Sequence, residues 1–120
     1  MADKMSGAEL KVILTGLGLT PGWLADHLKV TSRTILRWLD QDEVPAKAVA
    51  AIEAACEVTE REIERITQIA YVAGFIYTQR TDDGVAERNT PLPATWQRHA
   101  TFRALNDLRH QGVPVTVAYA

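Results

Sequence analysis

The residues here best placed to do chemistry are cations that share a helix face and have no acid among them. Lys29, Arg33 and Arg37 are spaced by four, and no Asp or Glu lies between Lys29 and Trp38. On a helix that spacing brings the side chains to one side. A guanidinium in such a position can take guanine O6 and N7 in a bidentate fork, so Arg33 and Arg37 are the expected base-reading side chains. Thr34 is placed to reach a phosphate, as is Lys47, which opens the following helix beside its positive end. The plain alternative for the three cations is an ordinary solvated helix face.

Other chemistries find less support. His27, His99 and His110 are scattered, with no HExxH, no paired CxxC and no third ligand at a metal spacing, so each is expected at the surface and no metal is expected. Cys56 lies among alanines with no cation beside it in sequence to lower its pKa, the setting of a buried, inert thiol. The three glycines of GLGLTPG lack a preceding strand and the lysine of a phosphate loop, and read as a helix-ending turn. Glu60, Glu62 and Glu64 read as a solvated face. Nothing assembles a nucleophile, a base and an orienting group, so the expectation is a protein that is not an enzyme and carries no cofactor.

The elements that must position the cations follow from apolar spacing and turn residues. Residues 7 to 17 place Leu10, Ile13, Leu14 and Leu17 at helical intervals, and the Gly16 to Gly18 stretch ends the run. Thr20 caps a second helix over about 21 to 28, with Pro21 at its first position and Trp23, Leu24 and Leu28 inward. Lys29 and Val30 turn the chain, Thr31 or Ser32 caps, and SRTILRWLDQ sets Ile35, Trp38 and Leu39 on one face with Arg33 and Arg37 on another. Leu36 is expected partly exposed, touching a thymine methyl or packing on a neighbouring element. Pro45 opens an Ala-rich helix with Val49, Ile52 and Cys56 at intervals of three and four. Thr59 and Glu62 fit a capping box for a fifth helix of roughly 60 to 73, separate from the fourth or fused to it.

From Phe75 the pattern changes. FIYTQR predicts a strand, Thr81 to Gly84 a turn, and residues 85 to 93 a loop or a short edge strand. A helix follows through ATWQRHATFRALNDLRHQG with Trp96, Ala100, Ala104 or Leu105, and Leu108 on one face, then a strand over about 114 to 119. A strand, helix and strand this short cannot cover their own apolar faces, so they must pack on the fifth helix or on a second copy of the chain.

Composition agrees with one domain or two very small ones. The chain has 120 residues, 47% hydrophobic and 23% charged, with a formal net charge of -2. A single cysteine forbids an intramolecular disulfide, and no stretch approaches the length of a membrane span, so a cytoplasmic protein with no membrane association is expected. The acidic total conceals the local excess of cations, and association with a polyanion depends on the charges at the contact.

The stretch TPGWLADHLKVTSRTILRWLDQDEVPAKAVAAIEAA resembles the Cro/C1-type (XRE-like) helix-turn-helix family, with Leu24-Ala25, Val30, Ile35, Trp38 and Pro45 in register. The resemblance covers about residues 7 to 56. It implies a mainly α fold with a small α+β tail: a helix-turn-helix DNA-binding domain over 1–58 and a C-terminal dimerisation domain over 59–120, built from a helix and a strand-helix-strand element. It also implies a double-stranded DNA partner and a third helix lying in the major groove. The family's base-contacting positions fall on Thr31, Ser32, Arg33 and Arg37, although Thr31 and Ser32 can instead serve only as caps.

The chain departs from the family at Pro21, where a polar phosphate contact is common, at Leu39, where an acid is usual, at Gln41, where Gly is usual, and at Lys29, a turn position often held by Gly. The order of elements also resembles small phage autorepressors of the anti-CRISPR-associated type, which implies a homodimer. Ile66, Ile69, Phe75, Tyr77, Trp96, Phe102, Val115 and Val117 are then the candidates for the dimer contact, with the core of a single chain as the alternative for each. Together these features lead to the expectation of a dimeric, sequence-specific repressor. The competing expectation is a protein-interaction module with a Cro-like head, either antitoxin-like or a phage protein acting on a host protein, and RNA is left open as a further partner.

Overall fold

A computed structural model describes residues 4–82 and 92–119. In chain order the elements are α1 (Gly7–Gly16), α2 (Pro21–Leu28), α3 (Ser32–Leu39), α4 (Ala46–Ala73), β1 (Phe75–Thr78), α5 (Ala94–His110) and β2 (Thr116–Tyr119). The protein is mainly helical with one small sheet of two parallel strands. It forms two compact units, Met1–Glu57 and Val58–Ala120, and α4 contributes residues to both. Most of the expected loop or edge strand over 85 to 93, and the Asp83-Gly84 half of the expected turn, lie outside the described residues.

In the first unit each short helix is started by a hydroxyl. The Glu9 N–H donates to Ser6 Oγ at 3.1 Å, Trp23 N–H to Thr20 Oγ1 at 3.0 Å and Thr34 N–H to Thr31 Oγ1 at 3.2 Å. Each bond satisfies one of the donors that a helix start leaves unpaired. Pro21 occupies the first turn of α2, where its missing N–H costs nothing. The inward faces bury Leu10 and Leu14 of α1, Leu24 and Ala25 of α2, Ile35 and Trp38 of α3, and Ala48, Val49 and Ile52 of α4.

The α1 start lies directly on the end of α3. Gly7 N–H donates to the carbonyl of Gln41 at 2.8 Å, and a Cβ on Gly7 would overlap the backbone carbonyls of Trp38 and Leu39. Only glycine permits that approach. The Val44 N–H donates to Met5 O at 2.8 Å, so the chain that follows α3 is tied to the start of α1 and to the segment before it.

The second unit is built on the C-terminal part of α4. β1 and β2 pair in parallel, with Phe75 opposite Thr116 and Thr78 opposite Tyr119, and α5 is the connection between them. Ile63, Ile66 and Ala70 of α4, Ile76 of β1, Ala100, Ala104 and Leu108 of α5, and Val115 form one buried cluster. The strand-helix-strand element therefore covers one of its faces with α4 of its own chain. Gln97, buried in α5, accepts from the Thr78 hydroxyl at 2.5 Å and from the Gln79 N–H at 3.2 Å, which holds the end of β1.

One open alternative is decided and several expectations are corrected. Helices four and five are one helix, and Thr59 is not a cap: it lies inside α4, fully buried, and accepts from the indole N–H of Trp96 at 2.7 Å. The first strand ends at Thr78, short of Arg80. The last begins at Thr116, because Pro114 offers no N–H to a ladder and Val115 turns into the core. Cys56 is half-buried, not fully buried, and is in no disulfide. His99 is half-buried, unlike the exposed His27 and His110. Glu60 and Glu64 are exposed, but Glu62 is half-buried against Arg65, which donates to both carboxylate oxygens at 2.7 and 2.9 Å. Of the eight apolar candidates for a dimer contact, Ile66, Trp96 and Val115 are buried within the chain, whereas Ile69, Phe75, Tyr77, Phe102 and Val117 are exposed.

Candidate nucleic-acid interface

α3 owes its position to its inward side. Ile35 is fully buried and Trp38 is 4% exposed, so the helix is held by one aliphatic and one indole side chain, a turn apart. Thr34 and Leu39 are half-buried at the border of that face. The helix is two turns long and strongly two-sided, and its outward arc consists of Ser32, Arg33, Leu36 and Arg37, all exposed. Arg33 and Arg37 are neighbours on this arc, one turn apart. Among the described residues neither guanidinium has a hydrogen-bond or ion-pair partner, so both keep all their donors for an external acceptor.

The approach to α3 is a tight turn. Lys29 closes α2 with φ 58 and ψ 42, the left-handed conformation that Gly18 and Gly112 adopt at the ends of α1 and α5. The Val30 N–H then reaches back to Ala25 O at 3.0 Å and the Lys29 N–H to Asp26 O at 3.4 Å, the pairing that terminates a helix with a left-handed residue. A lysine here keeps an exposed cation at the turn, at the cost of a strained backbone.

The remaining candidates divide by what already holds them. Thr31 is the cap of α3, and its hydroxyl is within 3.0 Å of the Thr34 hydroxyl as well as accepting from Thr34 N–H. The two threonines are thus partners of each other. Ser32 is the first helical residue and does not cap; its side chain is exposed beside Arg33. Lys47 is exposed in the first turn of α4, and its ammonium lies 5.5 Å from the centre of the Trp38 ring, a cation–π contact on the side of α3 away from Arg33. Asp40, Asp42 and Glu43, all exposed, follow α3 directly, just past a last turn that itself carries Arg37.

Sequence reasoning did not find the part played by Gly7, which is the contact that presses α1 onto α3. The signal was a glycine inside a helix just after a serine cap, where helix propensity alone favours almost any other residue. Among the described residues no group of three or more His, Cys, Asp or Glu could hold a metal ion, and no helix is long and apolar enough to cross a membrane. No protein-family model and no curated protein matches the chain.

Proposed function

We propose that the first unit is a Cro/C1-type helix-turn-helix head that binds double-stranded DNA with α3 in the major groove, and that the protein is a repressor of the autoregulating phage kind. The observation that carries this reading is the pair of partnerless guanidiniums, Arg33 and Arg37, on the outward face of a helix anchored by Ile35 and Trp38. The major groove admits one α-helix, and a helix that reads it needs one side for docking to its own domain and one side of donors for base edges. In this reading Lys29 and the start of α3 approach the phosphates, Arg33 and Arg37 take guanines, and the mechanism is steric: a protein on the operator excludes the polymerase. The setting is the cytoplasm and no cofactor takes part.

One head makes few base contacts, so two heads related by a two-fold axis are needed to read an inverted repeat. The exposed side chains of Phe75, Tyr77 and Phe102 on the second unit favour that unit as the place where two copies meet. The same side chains favour the competing reading, a module that docks on another protein. A mobility shift separates the two. Upstream and random DNA are compared at two salt concentrations, with the mass in solution measured alongside. Selective binding by a dimer that weakens steeply with salt is expected. Absence of selectivity at low salt would leave α3 a structural element and favour the protein or RNA partner.

A further inference from the structure

Leu36 is 55% exposed in the middle of the outward arc of α3, one turn from both Ser32 and Arg33 and adjacent to Arg37. The sequence left it two uses, a contact with a base or packing on a neighbouring element, and an exposure this large leaves it unburied within its own chain. Its neighbours on the arc are all polar or charged, so an aliphatic side chain here does nothing for the solvation of the helix or for the core. An isolated exposed leucine elsewhere on a surface would call for no explanation. This one shares its arc with the two guanidiniums whose donors are unused, between Ser32 and Arg33. A surface that engages the arc through Ser32, Arg33 and Arg37 also covers Leu36, and it must offer an apolar group at that point or lose the water-exposed area without recompense.

The floor of the major groove carries one apolar group, the C5-methyl of a pyrimidine, which distinguishes thymine from cytosine. We propose that Leu36 is a specificity-determining residue that packs on a pyrimidine C5-methyl lying beside the guanines taken by Arg33 and Arg37. The inference rests on the placement of α3 in the major groove. Thymine and 5-methylcytosine present the same methyl, and only the base beneath it differs.

The test uses the full-length protein and duplexes selected by it from a random-sequence pool. Each thymine of a selected site is replaced in turn by deoxyuridine, which removes the methyl and nothing else, and each cytosine in turn by 5-methylcytosine, for the unaltered protein and for Leu36→Ala. A loss of about fourfold at one thymine per half-site is expected, the worth of one methyl group withdrawn from water. A gain of similar size at one methylated cytosine instead would identify that base as the source of the methyl. In either case the effect should vanish in Leu36→Ala, whose thermal unfolding should match that of the unaltered protein because the side chain is exposed.

Selective binding with no dependence on any methyl, or the same dependence retained in Leu36→Ala, overturns the assignment of Leu36 and leaves the DNA-binding reading intact. Failure to select any site from the pool overturns both.

Discussion

The indole N–H of Trp96 donates to Thr59 Oγ1 at 2.7 Å, and both residues are buried. This bond joins α5 to the middle of α4 at the point where the sequence alone suggests a helix start. Replacing Thr59 by valine keeps the shape and removes the acceptor. The buried N–H of Trp96 is then left unsatisfied, and Thr59→Val is expected to lower unfolding free energy by about 1–3 kcal/mol. Thr59→Ser, which keeps the hydroxyl, should lose much less. Denaturant melts of the two variants check this, and equal losses would argue against the bond as the stabilising contact.

Gly7 sits where a Cβ would overlap the carbonyls of Trp38 and Leu39. Gly7→Ala must push α1 away from the end of α3, with an expected loss of about 1–3 kcal/mol. Gly16, at the other end of the same helix, has nothing within reach of a Cβ, and alanine there should be neutral or slightly stabilising. Thermal melting of the pair separates a packing effect from helix propensity, because propensity alone favours alanine at both positions.

The left-handed turn at Lys29 sets stability against charge. Lys29→Gly relieves the backbone and should raise stability by about 1 kcal/mol. It also removes a cation from the approach to α3, so binding to all DNA sequences should weaken and the salt slope should fall by about one. A variant that melts higher and binds less steeply with salt is the expected outcome. Unaltered salt dependence would remove Lys29 from the interface.

Arg33→Ala and Arg37→Ala should each weaken binding to a selected site by about 1–3 kcal/mol and relax preference at one base pair. Lys47→Ala should weaken selected and random DNA alike, and should also lose roughly 0.5–1 kcal/mol of stability with the cation–π contact to Trp38. Binding titrations on both kinds of DNA distinguish these effects. Equal losses on both for all three variants would assign the arginines to the phosphates.

Burial holds the His99 imidazole below its ordinary value of 6.5, the Arg103 guanidinium adds to the depression, and Glu60, which pairs with Arg103 at 2.8 Å, opposes it. A histidine whose pKa is lower folded than unfolded is favoured neutral in the native state. Its contribution to stability is complete above about 6.5 and declines as pH falls from there toward the folded value, since the unfolded chain takes up the proton first. Unfolding free energy measured from pH 8 down to pH 5 should therefore decline, and His99→Gln should flatten that part of the profile. An identical decline in the variant would place the titrating group elsewhere.

The sequence by itself determined the local structure of the first unit. Thr20 is a short-range cap, the cap of α3 is narrowed to Thr31 or Ser32, Pro21 and the glycines punctuate, and the three- and four-residue spacing of Ile35 and Trp38 against Arg33 and Arg37 settles which side of α3 is buried and which is exposed. Those are interactions within a few residues, and residue type is enough to read them. The tertiary structure decided what depends on partners distant in the chain. Thr59 has the chemistry of a cap and of a buried acceptor, and only Trp96, far along the chain, selects the second use and leaves α4 unbroken. Gly7 is legible as a glycine but not as a contact, because the carbonyls it meets belong to α3. Thr34 is committed to Thr31 and Lys47 to the Trp38 ring by geometry that spacing does not contain, and Leu36 is left bare because no element covers it. A side chain's chemistry sets what it can do, and the groups folded against it decide which of those uses remain.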